Sequence, residues 1–232
     1  MKLAIIPARG GSKRIPRKNV KPFCGKPMIG YAIDAARRAE VFDRIVVSTD
    51  DAEIADVARA AGAEVPFMRP DELANDQAAT VPVIAHAIGA LAAGGSAPSL
   101  VCCIYPGVPL LRHDDLRRSL AMLEDGTSDY VFPVLEFPAA VQRALLREAD
   151  GRVRPMYPQF TLTRTQDLPP AYYDAGQFYW GRAQAWLDGH SPHTHGRAIV
   201  LAADTAVDID TPDDWARAEA LYQARQTLRS AA

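Results

Sequence analysis

The first 135 residues alternate short apolar runs with amphipathic segments of helix length, and this rhythm leaves few folds open. Leu3 to Pro7 reads as a buried strand, and Pro27 is placed to open a helix through about Arg38. Arg44 to Ser48 reads as a second strand. Asp50 and Glu53 have capping-box spacing for the next helix, which Gly62 ends. A short strand is expected near Val65 to Phe67, and Thr80 is positioned to cap a helix running to about Ala93. Leu100 to Tyr105 reads as a buried strand, about Asp114 to Glu124 as a helix, and Tyr130 to Leu135 as a fifth strand. Such alternation builds right-handed βαβ units. It predicts an α/β, Rossmann-like, mostly parallel sheet with helices on both faces. Ligands of such sheets bind at the carboxyl ends of the strands. The loops after Pro7, Ser48 and Tyr105 are therefore expected on one rim.

The rhythm changes after about Glu136. Ala144 to Glu148 and Arg152 to Met156 flank Asp150-Gly151, a hairpin signal, and an irregular Pro-rich stretch runs through Tyr173. We read the chain as a single domain, 1–232, with an inserted lobe at about 136–175 that covers a site or makes a dimer contact. Gly176 to Gly181 and Ala198 to Leu201 return to strand character. Thr211-Pro212-Asp213-Asp214 starts a last helix, with Trp215, Ala218, Leu221 and Tyr222 on its apolar face.

Composition narrows the function classes. A net charge of −2 offers no global attraction for nucleic acid or an anionic membrane, so any anion site must be local. No apolar run approaches a membrane span, and Leu3-Ala4-Ile5-Ile6, stopped by Pro7, is too short for a signal-peptide core. Cys24, Cys102 and Cys103 lack metal-ligand spacing and read as reduced thiols of a cytoplasmic protein.

Local charge is far from even. Eight of the 26 Lys and Arg residues fall in the first 33 positions, where no Asp or Glu occurs. Their centre is Arg9-Gly10-Gly11-Ser12-Lys13-Arg14, just after the first strand. Glycines let a backbone approach an anion and aim its N–H groups at it. Arg9 has the fork to grip a phosphate, while Lys13 and Lys18 are mobile point charges. The position after a buried strand points to phosphate binding. A solvated basic face and a nucleic-acid patch are the alternatives. No aromatics are interleaved near the glycines to stack on bases. Gly-x-Gly-x-x-Gly and Gly-x-x-x-x-Gly-Lys-Ser/Thr are both missing, which disfavours a dinucleotide oxidoreductase and a P-loop kinase.

A phosphoryl-transfer site also needs a divalent metal. In Val207-Asp208-Ile209-Asp210, strand spacing turns both carboxylates one way and Ile209 the other. Two like charges side by side invite a cation, and magnesium takes few carboxylates while keeping several waters. The alternative is a helix-cap element at Asp210 and a surface residue at Asp208. Asp50 and Asp51 compete as ligands, but Asp50 already has a capping role. His190, His193 and His195 lie in a Gly/Ser/Pro-rich stretch that reads as a surface turn rather than a zinc site. No nucleophile stands beside a base in a recognisable motif, and direct displacement on phosphorus needs none.

The run Ile5-Ile6-Pro7-Ala8-Arg9-Gly10-Gly11-Ser12-Lys13-Arg14-Ile15-Pro16-Arg17-Lys18-Asn19 resembles the cytidylyltransferases that activate nine-carbon acidic sugars, the CMP-sialic acid synthetase family. Val47-Ser48-Thr49-Asp50, Arg69-Pro70-Asp71-Glu72-Leu73-Ala74-Asn75-Asp76 and Asp208-Ile209-Asp210-Thr211 follow in the family's order. Thr165-Gln166-Asp167-Leu168-Pro169 and Asp174-Ala175-Gly176-Gln177-Phe178-Tyr179 look like its pseudaminic acid branch. The resemblance implies a homodimer whose inserted lobe reaches the partner's site. It also implies attack of the sugar's anomeric hydroxyl on the α-phosphate of CTP, giving CMP-sugar and pyrophosphate. Arg9, Ser12, Lys13 and Lys18 would hold the triphosphate, with Ala8, Gly10 and Gly11 in the same nucleotide loop and Asn19, Arg69 and Asp76 near the cytidine. Asp208 and Asp210 would hold Mg2+, and Tyr105, Gln166, Gln177 and Tyr179 would face the sugar. Arg9, Lys13, Lys18 and Asp210 would carry the catalysis.

One stretch departs from the family. Tyr105-Pro106-Gly107-Val108-Pro109 lacks the hydroxyls usual there, which bears on the identity of the sugar. Sialic and legionaminic acids are the neighbouring alternatives, and deoxy-octulosonic acid is disfavoured by its enzymes' different glycine loop. A nucleotide-binding regulatory module without turnover is the reading from another class.

Overall fold

The computed structural model describes residues 1–75, 77–95 and 97–230. Eleven strands are described: β1 (Lys2–Pro7), β2 (Pro22–Phe23), β3 (Lys26–Pro27), β4 (Arg44–Ser48), β5 (Leu100–Ile104), β6 (Tyr130–Glu136), β7 (Leu145–Arg147), β8 (Val153–Pro155), β9 (Tyr172–Asp174), β10 (Phe178–Arg182) and β11 (Gly196–Val200). The described α-helices are α1 (Ile29–Ala39), α2 (Ala52–Ala60), α3 (Thr80–Ala93), α4 (His113–Glu124), α5 (Ala183–Leu187), α6 (Pro192–His195) and α7 (Pro212–Ser230).

The main sheet runs β11-β6-β10-β5-β1-β4, with β9 added on β6. β1 pairs in parallel with β4 and β5, and β11 in parallel with β6. β10 lies antiparallel between β5 and β6. This insertion matters for the site. The carboxyl ends of β1, β4 and β5 form one rim, and β10 starts at that same rim, where Phe178 pairs with Ile104. The short strand expected near Val65 is only a bridge between Val46 and Glu64, too brief to form a ladder.

Alternation along the strands divides the core between two faces. Ala4, Ile6, Cys102 and Trp180 pack with Ile29, Ile33 and Ala36 of α1 and Leu116, Leu120 and Leu123 of α4. Leu3, Ile5, Val101 and Cys103 pack with Ile84, Ile88 and Leu91 of α3 and with Trp186 of α5. A third cluster joins Ile15, Phe23, Met28 and Tyr31 to Ile209, Trp215 and Ala218. The Phe23 ring meets Trp215 edge-on at 5.3 Å and Tyr31 at 5.5 Å. That cluster fastens the N-terminal basic loop to the start of α7, where Thr211 and Asp214 cap reciprocally: the Asp214 N–H donates to Thr211 Oγ1 at 3.2 Å, and the Thr211 N–H to Asp214 Oδ2 at 2.8 Å.

Three local expectations shift. Pro27 does not open α1. It sits in β3 opposite Pro22, and the helix starts at Ile29 after Met28. Thr80 does not cap α3, since Ala79 stands at that place and the Thr80 hydroxyl meets the Tyr105 hydroxyl at 3.0 Å. The cap of α2 is Asp51 rather than Asp50: its side chain accepts from the Ile54 N–H at 3.0 Å. Asp50 Oδ1 instead accepts from the Gly10 N–H at 3.0 Å. Between β6 and β10 the chain leaves the sheet, pairs β7 with β8 around Gly151 at φ 91°, and returns as β9.

Asp51 also fixes the basic loop. Arg17, held at φ 57°, donates through Nη1 to Asp51 Oδ2 at 2.6 Å and also bonds Glu53. The Arg17 hydrogen bond pulls the Asp51 carboxyl down to about 2 from the usual 3.8. An added Cβ at Gly10 would sit 2.7 Å from Asp51 Oδ2, so only glycine lets the loop lie this close. A carboxyl with a lowered folded-state pKa stabilises fully above its unfolded pKa and loses that contribution as pH falls through the folded one. Asp51→Asn is expected to cost about 1–2 kcal/mol at pH 7, allowing for partial solvent screening. Urea denaturation is expected to show the wild-type advantage shrinking between pH about 4 and about 2.

Candidate active site

A cleft of about 240 Å³ opens at the rim. Arg9, Ser12, Lys13, Arg14 and Lys18 line it from the basic loop, and Asp210 from the segment before α7. Asn19, Arg69, Thr80, Tyr105 and Pro106 complete its other walls. The basic loop and the acidic segment, 191 positions apart, meet through Lys18, whose Nζ donates to the Ile209 carbonyl at 2.7 Å. Lys18 Nζ also stands 3.6 Å from Asp210 Oδ1, and Arg14 Nη2 reaches the same oxygen at 2.9 Å.

Residues 208–210 belong to no strand. Ile209 is buried in the third cluster between the more exposed Asp208 and Asp210, and of these two carboxylates Asp210 lines the cleft. The Asp208 carboxyl is raised above its ordinary range by loss of hydration and then by the charge of Asp210, with Lys18 opposing. Two oxygen donors that repel one another fit a hard cation that keeps most of its ligands as water. Among the described residues no group of three or more His, Cys, Asp or Glu converges to hold a metal.

The nucleotide loop is placed unevenly. Ala8 is buried in the core, its N–H donating to the Ser48 carbonyl at 2.9 Å. The Gly10 N–H is committed to Asp50, so it does not point at an anion as the glycine pattern suggested. A Cβ at Gly11 would meet nothing. Side chains therefore dominate the cationic wall. Asn19 is buried, its Nδ2 donating to the Arg9 carbonyl at 2.9 Å and its Oδ1 left without a hydrogen-bond partner. Arg69 is buried beneath the cleft, with Nε on Ser48 Oγ at 3.1 Å and Nη2 on the Ser48 carbonyl. Loss of hydration lowers its pKa, while nearby Asp50 favours the charge. Asp76 lies outside the described residues.

The four residues expected to face the sugar separate. Tyr105 lines the cleft, its hydroxyl pushed up to about 12 by burial. Tyr179 packs edge-on against Tyr105 at 5.8 Å, with its hydroxyl on Asp174 Oδ2. Gln177 is buried, donating from Nε2 to the Thr205 carbonyl at 2.7 Å, and its Oε1 has no hydrogen-bond partner. Gln166 sits exposed in the turn Thr165–Asp167 and is not part of the cleft wall. Val108 is buried in the core, so its apolar character is a packing requirement, whereas Gly107 leaves open space.

Sequence reasoning did not foresee the side-chain contacts of Asp174, His193 and Thr80. His193 Nε2 stands 2.6 Å from Asp174 Oδ2, across 19 positions that no local pattern links. Arg14 was part of the basic motif, but its bond to Asp210 needed the fold to be seen.

Comparison with known proteins places the chain in a family. The chain is 40% identical over 224 residues to pseudaminic acid cytidylyltransferase of Campylobacter jejuni subsp. jejuni, covering 95% of this chain and 96% of the relative. It is 31% identical over 232 residues to CMP-N,N'-diacetyllegionaminic acid synthase of Legionella pneumophila, covering 97% of each. The solved structure of a CMP:2-keto-3-deoxy-manno-octonic acid synthetase complexed with CTP superposes with a TM-score of 0.73 at 18% identity, over 97% of this chain and 99% of that one, a likeness of fold. The family described as Cytidylyltransferase matches residues 3–231, and the chain belongs to that family.

Proposed function

We propose that this protein joins CMP from CTP to a nine-carbon acidic sugar, most closely pseudaminic acid, and releases pyrophosphate. The observation that carries this reading is the meeting of Lys18 and Arg14 with Asp210 in one cleft that Arg9 and Lys13 also line. A triphosphate needs several cations around it, and in-line displacement on phosphorus needs positioning and charge more than covalent chemistry. Arg9, Ser12, Lys13 and Lys18 bind and orient the triphosphate, and Asn19 and Arg69 stand where the nucleoside enters. Asp208 and Asp210 would hold Mg2+. Bound there, the metal would supply Lewis-acid stabilisation of phosphate charge. Asp210, paired with Arg14 and Lys18, sets its carboxylate at the cleft wall. Tyr105 and Tyr179 fall on the sugar side. Legionaminic and sialic acids are the neighbouring substrates.

Two residue changes test the site. Asp210→Asn and Lys18→Ala are each expected to reduce pyrophosphate release from CTP and the sugar by about 10²-fold or more. Their circular dichroism is expected to match wild type. A regulatory module that binds nucleotide without turnover would release no pyrophosphate in any variant.

The single-domain organisation, with residues 136–175 as an inserted dimer lobe, belongs to the same proposal, as does a cytoplasmic location. No described helix is long and apolar enough to cross a membrane. The lobe carries a groove of about 780 Å³ between Phe137, Leu145, Pro155 and Tyr157, and its surface exposes Val153, Met156 and Leu162. Burying this apolar surface against a second copy favours association, and a dimer gives exposed Gln166 a route to the partner's cleft. Sedimentation is expected to show a dimer that Leu145→Glu dissociates.

A further inference from the structure

Residues 202–210, which carry both aspartates, belong to no helix or strand, so side-chain contacts set their place. Ile209 and Lys18 hold one end. A second hold comes from the turn between β9 and β10. Gln177 is the last residue of that turn, and its backbone is anchored to the sheet. Its carbonyl accepts from the Tyr105 N–H at 2.9 Å, and the next residue, Phe178, pairs with Ile104 of β5. From there the side chain reaches 28 positions along the sequence, donating from Nε2 to the Thr205 carbonyl at 2.7 Å. Thr205 is tied down in turn: its N–H and its hydroxyl both donate to the Ala202 carbonyl, at 3.0 and 2.6 Å. Gln177 and Thr205 are each only 3% exposed. Just before Gln177, the Gly176 N–H donates to Asp174 Oδ1 at 2.8 Å. A Cβ at Gly176 would lie 3.9 Å from Asp208 Cγ. The turn therefore abuts the acidic segment twice, at Thr205 and at Asp208.

The chemistry of the amide says what the contact is for. A backbone carbonyl only accepts, so the bond to Thr205 fixes which end of the Gln177 amide is nitrogen. The other end, Oε1, is buried without a hydrogen-bond partner. A covered acceptor without a partner is costly, so the bond from Nε2 is what this side chain supplies in return. With Nε2 committed and Oε1 covered, neither end of the amide is presented to the cleft, and Gln177 is not part of its wall.

We propose that Gln177 is a positioning residue rather than a sugar contact: its amide, together with the Gly176 turn, sets the segment that carries Asp208 and Asp210 for a divalent cation. This rests on the transferase reading above and on the metal that reading requires. Ile209 and Lys18 fix the segment from the side of the basic loop, and Gln177 fixes it from the side of the sheet.

Gln177→Met keeps the length of the side chain and removes the donor. In hydrogen exchange of the substrate-free protein, peptides spanning 202–210 are expected to exchange about tenfold faster in this variant, the effect of one lost hydrogen bond, while β1 keeps its wild-type rate. In titrations with Mn2+ alone, followed by electron paramagnetic resonance, the variant is expected to bind the ion about tenfold more weakly. In turnover with CTP and pseudaminic acid, the Mg2+ concentration for half-maximal rate is expected to rise about tenfold, with the sugar KM at saturating Mg2+ within about twofold of wild type. Thr205→Val, which cuts the hydroxyl tie to Ala202 and touches no sugar, is expected to show the same pattern, and Thr205→Ser to restore wild-type values. A sugar KM that rises at saturating Mg2+ with an unchanged Mg2+ requirement would overturn the proposal. So would exchange at 202–210, or Mn2+ affinity, that neither Gln177→Met nor Thr205→Val moves. If wild type bound no Mn2+ and released no pyrophosphate with any nonulosonic acid, the transferase reading itself would fail, and hydrogen exchange would still judge the hold of Gln177 on the segment.

Discussion

Ile209 is the small residue on which the site depends. Its burial among Ile15, Phe23 and Trp215 anchors the segment that carries Asp208 and Asp210, and Asp210 lines the cleft. The same position gives its carbonyl to Lys18. One apolar side chain and one hydrogen bond thus join the loop after the first strand to the segment before the last helix. Opposite charges then sit within reach of each other, but the hydrophobic contact brings them there. Surface ion pairs are too weak to do so alone.

The rim shows how topology concentrates function. In a wholly parallel sheet, the strand beside β5 would end at the rim. Here β10 is reversed and begins there. Its lead-in, Asp174 to Gln177, therefore lies next to Tyr105 at the rim, and the Tyr105 N–H donates to the Gln177 carbonyl at 2.9 Å. Asp50 gains a place at the rim for a different reason. With Asp51 taking the cap of α2 and the bond to Arg17, Asp50 turns to the Gly10 backbone.

Much of this was readable from residue order. The strands from Leu3, Arg44, Leu100 and Tyr130 are short, branched and bounded by turn residues, and burial on both faces makes such runs unmistakable. The 207–210 alternation was legible because period two is simple arithmetic. Contacts between distant segments were not. Asp50 and Asp51 are identical in type, and only the approach of Arg17 decides which one caps. Thr80 looked like a helix cap because a hydroxyl before an apolar run usually is one. Its partner Tyr105 lies 25 positions away. Pro27 matched a helix-start rule, but the hairpin with Pro22 claimed it. The reversed direction of β10 left no mark on its composition.

The most direct test of the account is a crystal structure with CTP and Mn2+, read by anomalous scattering. A manganese peak is expected against the Asp208 and Asp210 carboxylates, with the triphosphate oxygens contacting Arg9, Lys13 and Lys18. A metal peak remote from both aspartates, or a triphosphate bound away from those three cations, would contradict it.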